Sequence, residues 1–446
     1  MASPPRSRSS RTVVFAVVAS TFFVGFGGGV IFPILPNLGA ILGISAFMVG
    51  VILSANRWVR LIANAPAGAL VDRFGTRRPF IYGLLIEGIA TLGYVIALLM
   101  PDPSRLAPVA AAGPTLHLGP VALGPEAWMT LLATAVAPET WFLLARVLWG
   151  IGSAAVFATA YTISADVSEG DSRGLIMGVV RGGILLGFPA GLVLGGVVSS
   201  LASEVAAFGL AAAFALVASG VAYGLVPETH VRSGQTRAVS PWDVDTSIPA
   251  VTVGLVNFGL MFAYIGALFS TLVLYLDRRS LVLFGLDAQG TSGLFMAGTV
   301  IAAGVAMIVG GRLSDTSDSR IPIVTVCLVL SFGGFLLLAR ATTIPELVAA
   351  CLLVGVGQGG TSGPMMALLA DLTPADRMGR AAGTNNVLGD VGGGLGPLMA
   401  LPLAEVIGYA PIYVACAAIP LLAGAILLVG VRRETGTYVP GHLPDE

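Results

Sequence analysis

Lysine is missing from this 446-residue chain: all 23 basic residues are arginine. Charge of either sign is scarce, at 11% of residues, where soluble domains carry about 25%. An ordinary soluble protein is therefore excluded. The formal net charge of -1 gives no electrostatic footprint for a nucleic-acid partner. Only three cysteines are present, Cys327, Cys351 and Cys416, each inside an apolar run. A disulfide framework is excluded, and packing is their expected role. The three histidines, His117, His230 and His442, lie outside the apolar runs, and no His/Cys spacing suited to a metal occurs. A nucleotide-binding glycine loop and a long soluble segment are also absent. These absences argue against a membrane-embedded enzyme, an ATP-driven pump and a sensor with a signalling domain; no cofactor or metal is expected. The first apolar run is too long for a cleavable signal peptide and lacks a small-residue cleavage site, so none is expected.

What fills the chain is apolar sequence, 56% hydrophobic, with 59 glycines that suit close helix packing in lipid. Twelve runs reach the roughly 20 residues a membrane-spanning helix needs. They are 12–35, 46–71, 79–100, 140–165, 174–200 and 205–226, then 249–275, 290–313, 320–340, 345–369, 380–403 and 408–431. Fifteen arginines fall in the segments on one side of these spans and four on the other. Arginine excess marks the cytoplasmic side, so both termini are expected there, in the plasma membrane. The expected organisation is an all-α membrane protein: a six-helix bundle over 1–226, a cytoplasmic linker over 227–248 and a second bundle over 249–446. Residues 101–139, rich in Pro, Ala and Gly, read as an outer-loop insertion; its run Trp128 to Ala137 is too short to span and suits the membrane surface.

The two bundles are copies. A shift of 243 aligns Gly50 with Gly293, Gly68 with Gly311 and Asp72 with Asp315. A shift of 205 aligns Gly150 with Gly355, Asp166 with Asp371, Gly178 with Gly383, Gly187 with Gly392 and Gly191 with Gly396. The 38-residue difference between the shifts falls on the 101–139 insertion. Internal repeats of this size are typical of secondary transporters.

The turn after the second span packs Gly68, Asp72, Arg73, Gly75, Arg77 and Arg78 into eleven residues, and Gly311 with Asp315 repeats it more weakly. Twelve spans, a six-helix repeat and these turns resemble the major facilitator superfamily. Arg146 to Ala154 resembles the fourth-helix motif of its drug/proton antiporter branches, with Trp149 at the usual Gln position. Gly178, Gly187, Gly191, Gly195 and Gly196 resemble their fifth-helix motif. The motif's proline position is Leu192 here, while Gly396-Pro397 carries the pair in the second half. The resemblance implies two bundles of six helices around a central cavity, lined by spans one, four, seven and ten and flanked by two, five, eight and eleven.

Charges inside spans cost about 2.5–3.5 kcal/mol each, so each needs a partner or water. They are Arg57, Arg60, Glu87, Arg146, Arg181 and Asp390. Arg57, Arg60 and Asn64 share one helix face, as do Asn386 and Asp390. With the family's arrangement, Arg57, Arg60, Arg146, Arg181, Asn386 and Asp390 are expected at the cavity. Glu87 is expected to neutralise a neighbour such as Arg60. Asp390, ten residues into its span, lies near the midplane and reads equally as a proton carrier or as a static ion-pair partner of Arg181. Asp72 and Asp166, with repeats Asp315 and Asp371, are expected to latch the inner ends when the cavity opens outward. Tyr161, Asn257, Tyr264 and Gln358 are candidate substrate contacts. The glycines of span five predict a smooth stripe for helix packing. Together these residues predict a secondary transporter that works as a monomer in the lipid bilayer on a small-molecule substrate, with a proton as coupling ion. Export of a small organic compound is the first expectation, and uptake or exchange of an organic anion the alternative, since four span arginines outnumber two acids.

Overall fold

The computed structural model describes residues 10–100, 116–118, 121–123, 125–167, 173–229 and 244–441. Among these, twelve helices are long and apolar enough to cross a membrane. In chain order the helices are α1 (Ser10–Ile41), α2 (Ala46–Phe74), α3 (Arg77–Leu99), a short α4 (Pro125–Val136), α5 (Pro138–Val167), α6 (Arg173–Leu201) and α7 (Glu204–Leu225). The second half holds α8 (Ile248–Arg278), α9 (Ala288–Asp315), α10 (Ile321–Arg340), α11 (Ile344–Leu372), α12 (Met378–Ile407) and α13 (Tyr409–Thr435). The insertion departs from an all-helical chain: β1 (Leu116–Leu118) and β2 (Val121–Leu123) pair antiparallel, and α4 follows them.

Local chemistry fixes the ends. Ser45 accepts from the Met48 amide, Ser203 from Ala206 and Asp287 from Gly290, each satisfying an otherwise orphaned helix N–H. Thr343 and Glu346 form a reciprocal capping box at α11. Helix α1 runs to Ile41, six residues past the expected end, straight through Pro33 and Pro36; neighbouring helices satisfy the freed backbone groups in lipid. Helix α8 contains a π-helical turn, Phe262–Leu268, with Gly266 set against Gly396 of α12.

Glycine sets the packing, and the repeat is visible in it. A Cβ at Gly187 or Gly191 would overlap the Phe22 or Phe26 carbonyl of α1, and at Gly195 it would lie 2.8 Å from the Val30 Cα. Their counterparts Gly392 and Gly396 meet Phe258 and Gly266 of α8 in the same way. The stripe of α6 therefore holds α1 within its own half. It does not lie between the halves. Gly178 has nothing within 4 Å of a would-be Cβ.

Where the halves meet, they do so on one side. A single large apolar cluster joins Phe32, Leu35 and Leu192 of the first half with Leu268, Leu272, Phe295 and Leu401 of the second. It occupies the face opposite the arginine-rich turns. Towards the arginine-rich face the cores separate: Phe80, Val156 and Val180 belong to one cluster, Val253, Leu368 and Leu427 to another. The molecule is a cleft closed at one face and open at the arginine-rich one.

Candidate functional site

Helices α2 and α12 cross at the vertex of this cleft. Gly50 lies against the Pro397 carbonyl. Ser54 Oγ donates to the Gly394 carbonyl at 2.5 Å. The run Gly392-Gly393-Gly394 serves three neighbours in turn: the Phe258 carbonyl, the Arg57 guanidinium and the Trp58 ring, each where a Cβ would stand. Glycine is required here because a cation and an indole lie directly on the α12 backbone.

One turn on, Asp390 takes both arginines of α2. Arg57 Nη1 donates to Oδ1 at 3.0 Å and Arg60 Nε to Oδ2 at 3.2 Å. Arg60 Nη2 also donates to Oδ1. The Arg60 guanidinium lies 5.9 Å from the centre of the Phe157 ring on α5. Arg57, Arg60 and Asp390 retain 17, 20 and 13% side-chain exposure, so the cluster reaches water at the end of the cleft. Two guanidinium groups against one carboxylate leave it one positive charge in excess. Beyond it the helices part, and Asn64 and Asn386 are both exposed.

Three expectations change. Arg181 does not pair with Asp390. It is exposed on the face of α6 that carries Leu192 and Gly196, which pack on α9 at the closed end; at the open end that face looks into the cleft. Arg146 is withdrawn from the cavity, at 1% exposure. It donates to the carbonyls of Ile52 and Leu53 and to Asn56 Oδ1, at 3.3, 3.2 and 2.7 Å, and stacks 5.5 Å from the Trp149 ring. Carbonyl acceptors with no carboxylate make it a brace between α5 and α2. Glu87, also 1% exposed, forms no ion pair among the described residues and its Oε1 has no hydrogen-bond partner. Asp390, reaching over from the other half, does the neutralising expected of Glu87.

The turns at the arginine-rich face are built differently in the two halves. Gly75 turns the chain at φ 82°, and a Cβ there would strike the Glu228 carboxylate. That carboxylate accepts from the Thr76 amide at 2.7 Å, the Thr76 hydroxyl at 3.0 Å and the Arg77 amide at 3.4 Å, an anion on a helix N-terminus. Thr229 donates to Asp166 at 2.9 Å. Arg77 donates to the Tyr223 carbonyl at 2.9 Å, and Arg73 and Arg78 are exposed. The Asp72 side chain lies outside the described residues. In the second half Arg320 binds Asp315 at 2.9 Å, Asp371 at 2.5 Å and Ser314 at 3.0 Å. The bond to Asp371, with that to Asp315, holds the Arg320 pKa above its ordinary value. Gly68 and Gly311 face open space. Glu228 follows the sixth span in the chain, and only the fold brings it back to the turn between α2 and α3.

The second inter-half crossing supplies a comparison inside the molecule. Gly293 of α9 meets the Leu192 carbonyl of α6 just as Gly50 meets Pro397, and the repeat aligns these residues pairwise. At the level of Arg57, Arg60 and Asp390, this crossing carries Val300, Ala303 and Leu185. At this level one of two equivalent crossings is charged and the other apolar; Arg181, one turn from Leu185 towards the open end, stands exposed with no ion pair among the described residues.

Comparison with known proteins agrees with this architecture. The family model of the Major Facilitator Superfamily matches residues 17–113, 120–397 and 288–441. An MFS-type transporter of Methanocaldococcus jannaschii is 23% identical over 427 residues, 94% of this chain and 98% of that one. Multidrug resistance protein 2 of Bacillus subtilis is 34% identical over 88 residues, 20% of this chain and 22% of that relative. The crystal structure of a bacterial homolog of the human lysosomal transporter Spinster, inward-facing and occupied, superposes with a TM-score of 0.72 at 15% identity, over 96% of this chain and 98% of that one. Its inward-facing, unoccupied form matches equally, at 14% identity. With twelve apolar helices in two repeated halves, a cleft between them and a family match along its length, this chain belongs to the major facilitator superfamily of membrane transporters.

Proposed function

We propose that this protein carries a small organic anion by alternating access, with Arg57 and Arg60 as the anion-binding pair and Asp390 as the counter-ion that a proton releases. The observation that carries this reading is the surplus arginine at the vertex of the cleft, on one only of two equivalent crossings. When Asp390 holds a proton, both guanidinium groups are free for a substrate carboxylate, a geometry they suit through bidentate hydrogen bonds. When the proton leaves, Asp390 reclaims the arginines and expels the anion. Anion and proton then travel together. The arginine bias supports a cytoplasmic position for the open face and both termini in the plasma membrane, so the cleft faces inward here. In the opposite state Asp72, Asp166, Asp315 and Asp371 would meet the approaching ends of the other half, and Gly68 and Gly311 would allow that approach. One copy of the chain holds every element of this cycle, so a monomer suffices.

The partial likeness to Multidrug resistance protein 2 favours a second reading, proton-driven export of a small organic compound. The two separate in liposomes containing purified protein and an imposed pH gradient. Counterflow of radiolabelled monocarboxylates, abolished by Arg57→Gln, is expected from an anion carrier; extrusion of cationic dyes without anion counterflow would establish the exporter instead. Asp390→Asn is expected to stop uphill transport while sparing exchange. Retained uphill transport in that variant would remove the proton from Asp390.

A further inference from the structure

The two crossings differ a second time, at the rim of the closed face. On the α6/α9 side Gln289 is buried, at 2% exposure, and uses both ends of its amide across the halves. Its Oε1 accepts from the Ser199 hydroxyl of α6, and its Nε2 donates to Glu204 Oε1, in the first turn of α7, at 3.3 Å. Beside them the Asp287 amide donates to Ser200 Oγ at 3.1 Å. No other hydrogen bond among the described residues joins the halves at this rim. The repeat aligns Gln289 with Ala46, Ser199 with Ala404, Ser200 with Glu405 and Glu204 with Tyr409. Alanine can make neither side-chain bond. In their place the α2/α12 side has a cavity of about 220 Å³, lined by Asn37, Ile44 and Ala46 of the first half and Leu401, Glu405 and Tyr409 of the second. The rim is therefore clasped on one side and loosely packed on the other.

We propose that Gln289 is the clasp of the closed face: its amide must release Ser199 and Glu204 before the halves can part there, and it sets the balance between the two states of the transport cycle. It is a positioning residue, since it acts on that balance and touches no substrate. The proposal rests on alternating access as read above, and not on the nature of the cargo. The apolar cluster beneath the rim attracts without direction, so it tolerates sliding of one half on the other. Hydrogen bonds do not: they weaken steeply once distance and angle leave a narrow range, and a bond to a carboxylate is worth more than a neutral one. Water can take over the Gln289 amide and its partners only after the rim has opened, so these bonds favour the closed rim. Ala46 and Ala404 offer no such resistance. The barrier to opening is thus concentrated on the α6/α9 side, opposite the crossing that carries Arg57, Arg60 and Asp390.

The test places spin labels at two exposed positions of this rim, Leu201→Cys in the first half and Val282→Cys in the second. The full-length protein, its three buried cysteines replaced by alanine, is measured in liposomes without substrate, and the distance distribution is read. Gln289→Met keeps the volume and removes both bonds; it should raise the population with separated labels about tenfold. Gln289→Glu sets like charges against Glu204 and should do the same. Adding Glu204→Gln exchanges donor and acceptor over the same contact and should restore the native distribution, a rescue that packing alone does not predict. Ala46→Gln, built into the cavity beside Glu405, should draw Gln289→Met back towards the native distribution, because an amide then clasps the other crossing. Thermal melting checks folding, and Ser199→Ala serves as the alternative should Gln289→Met fail to fold. A distribution that Gln289→Met leaves unmoved while anion counterflow continues overturns the clasp and leaves the carrier reading standing. A tenfold shift in a protein whose native form shows no anion counterflow supports the clasp and overturns the anion reading.

Discussion

Replacing Arg57, Arg60 and Asp390 together by the residue types of the equivalent crossing, valine, alanine and leucine, separates a structural cluster from a functional one. Each charge costs about 2.5–3.5 kcal/mol to place in the membrane interior, so the three together oppose insertion by roughly 8–10 kcal/mol before their mutual attraction is counted. At an effective dielectric near 20 each Arg–Asp contact returns about 4 kcal/mol, and the repulsion between the two arginines takes part of that back. The attraction offsets most of the cost and leaves a small net penalty. Exchange of a buried ion cluster for apolar residues is therefore neutral or stabilising, by about 1–4 kcal/mol in comparable cases. Here the gain falls at the low end, because the shorter valine side chain would leave a void where the Arg57 guanidinium now covers Gly393. The single change Asp390→Leu differs sharply: it strands two like charges at 17 and 20% exposure and should cost about 3 kcal/mol. Denaturant unfolding in detergent micelles, with anion counterflow in liposomes, reads both quantities. The triple variant should be at least as stable as the native protein and transport nothing. A triple variant destabilised by more than about 2 kcal/mol would make the cluster a structural clamp, and one that still carries anions would refute the argument outright.

Other expectations follow from the packing. Gly191→Leu drives a side chain into the Phe26 carbonyl of α1, so folded protein should be lost from the membrane, whereas Gly178→Leu, facing open space, should accumulate normally; size-exclusion of solubilised protein reads the difference. Gly75→Ala forces a Cβ into the Glu228 carboxylate at a positive φ and should destabilise by about 1–2 kcal/mol or more, with Glu228→Gln losing part of the same contact; equal melting temperatures for both variants and the native protein would dismiss the anchor. Asp245 accepts the Ser247 amide at 2.8 Å, which holds its carboxyl below the usual range. The stability it contributes is present above its unfolded value near about 4 and is lost as pH falls through the lower folded value, so an acid melting series should show a step that Asp245→Asn removes.

Much of this architecture is written in periodicity and spacing. Long apolar runs give the twelve spans because lipid leaves the backbone no partner but its own helix. The repeat shifts align residues that the structure then uses in the same way, Gly187 with Gly392 and Gly191 with Gly396. Charges inside spans stand out as sites because each is costly. What spacing does not contain is which helix a side chain turns towards. Arg146 and Arg57 look alike in the chain, yet one points into a glycine-lined crossing within its own half and the other across to α12. Asp390 has a repeat relation to Leu185 and not to Arg181, and nothing along the sequence says that its partners are two turns of α2. The glycine stripe of α6 is legible as a packing surface, but its partner α1, and hence its purpose, belongs to the three-dimensional arrangement.

The internal symmetry carries the functional argument furthest. Two crossings of the same geometry, each with a glycine against a carbonyl, show that the joint between the halves needs no charge. Natural variation between them inside one chain acts as a built-in substitution experiment: Val300, Ala303 and Leu185 hold the positions on α9 and α6 that the repeat aligns with Arg57, Arg60 and Asp390 on α2 and α12. The difference that remains is one surplus positive charge, open to water, at the closed end of a cleft. A rocking pair of bundles with two apolar joints would have no preference for any solute. With one joint charged, the proposed cycle ties the conformational change to whatever neutralises the surplus arginine, and assigns to a proton on Asp390 the choice of when that place is free.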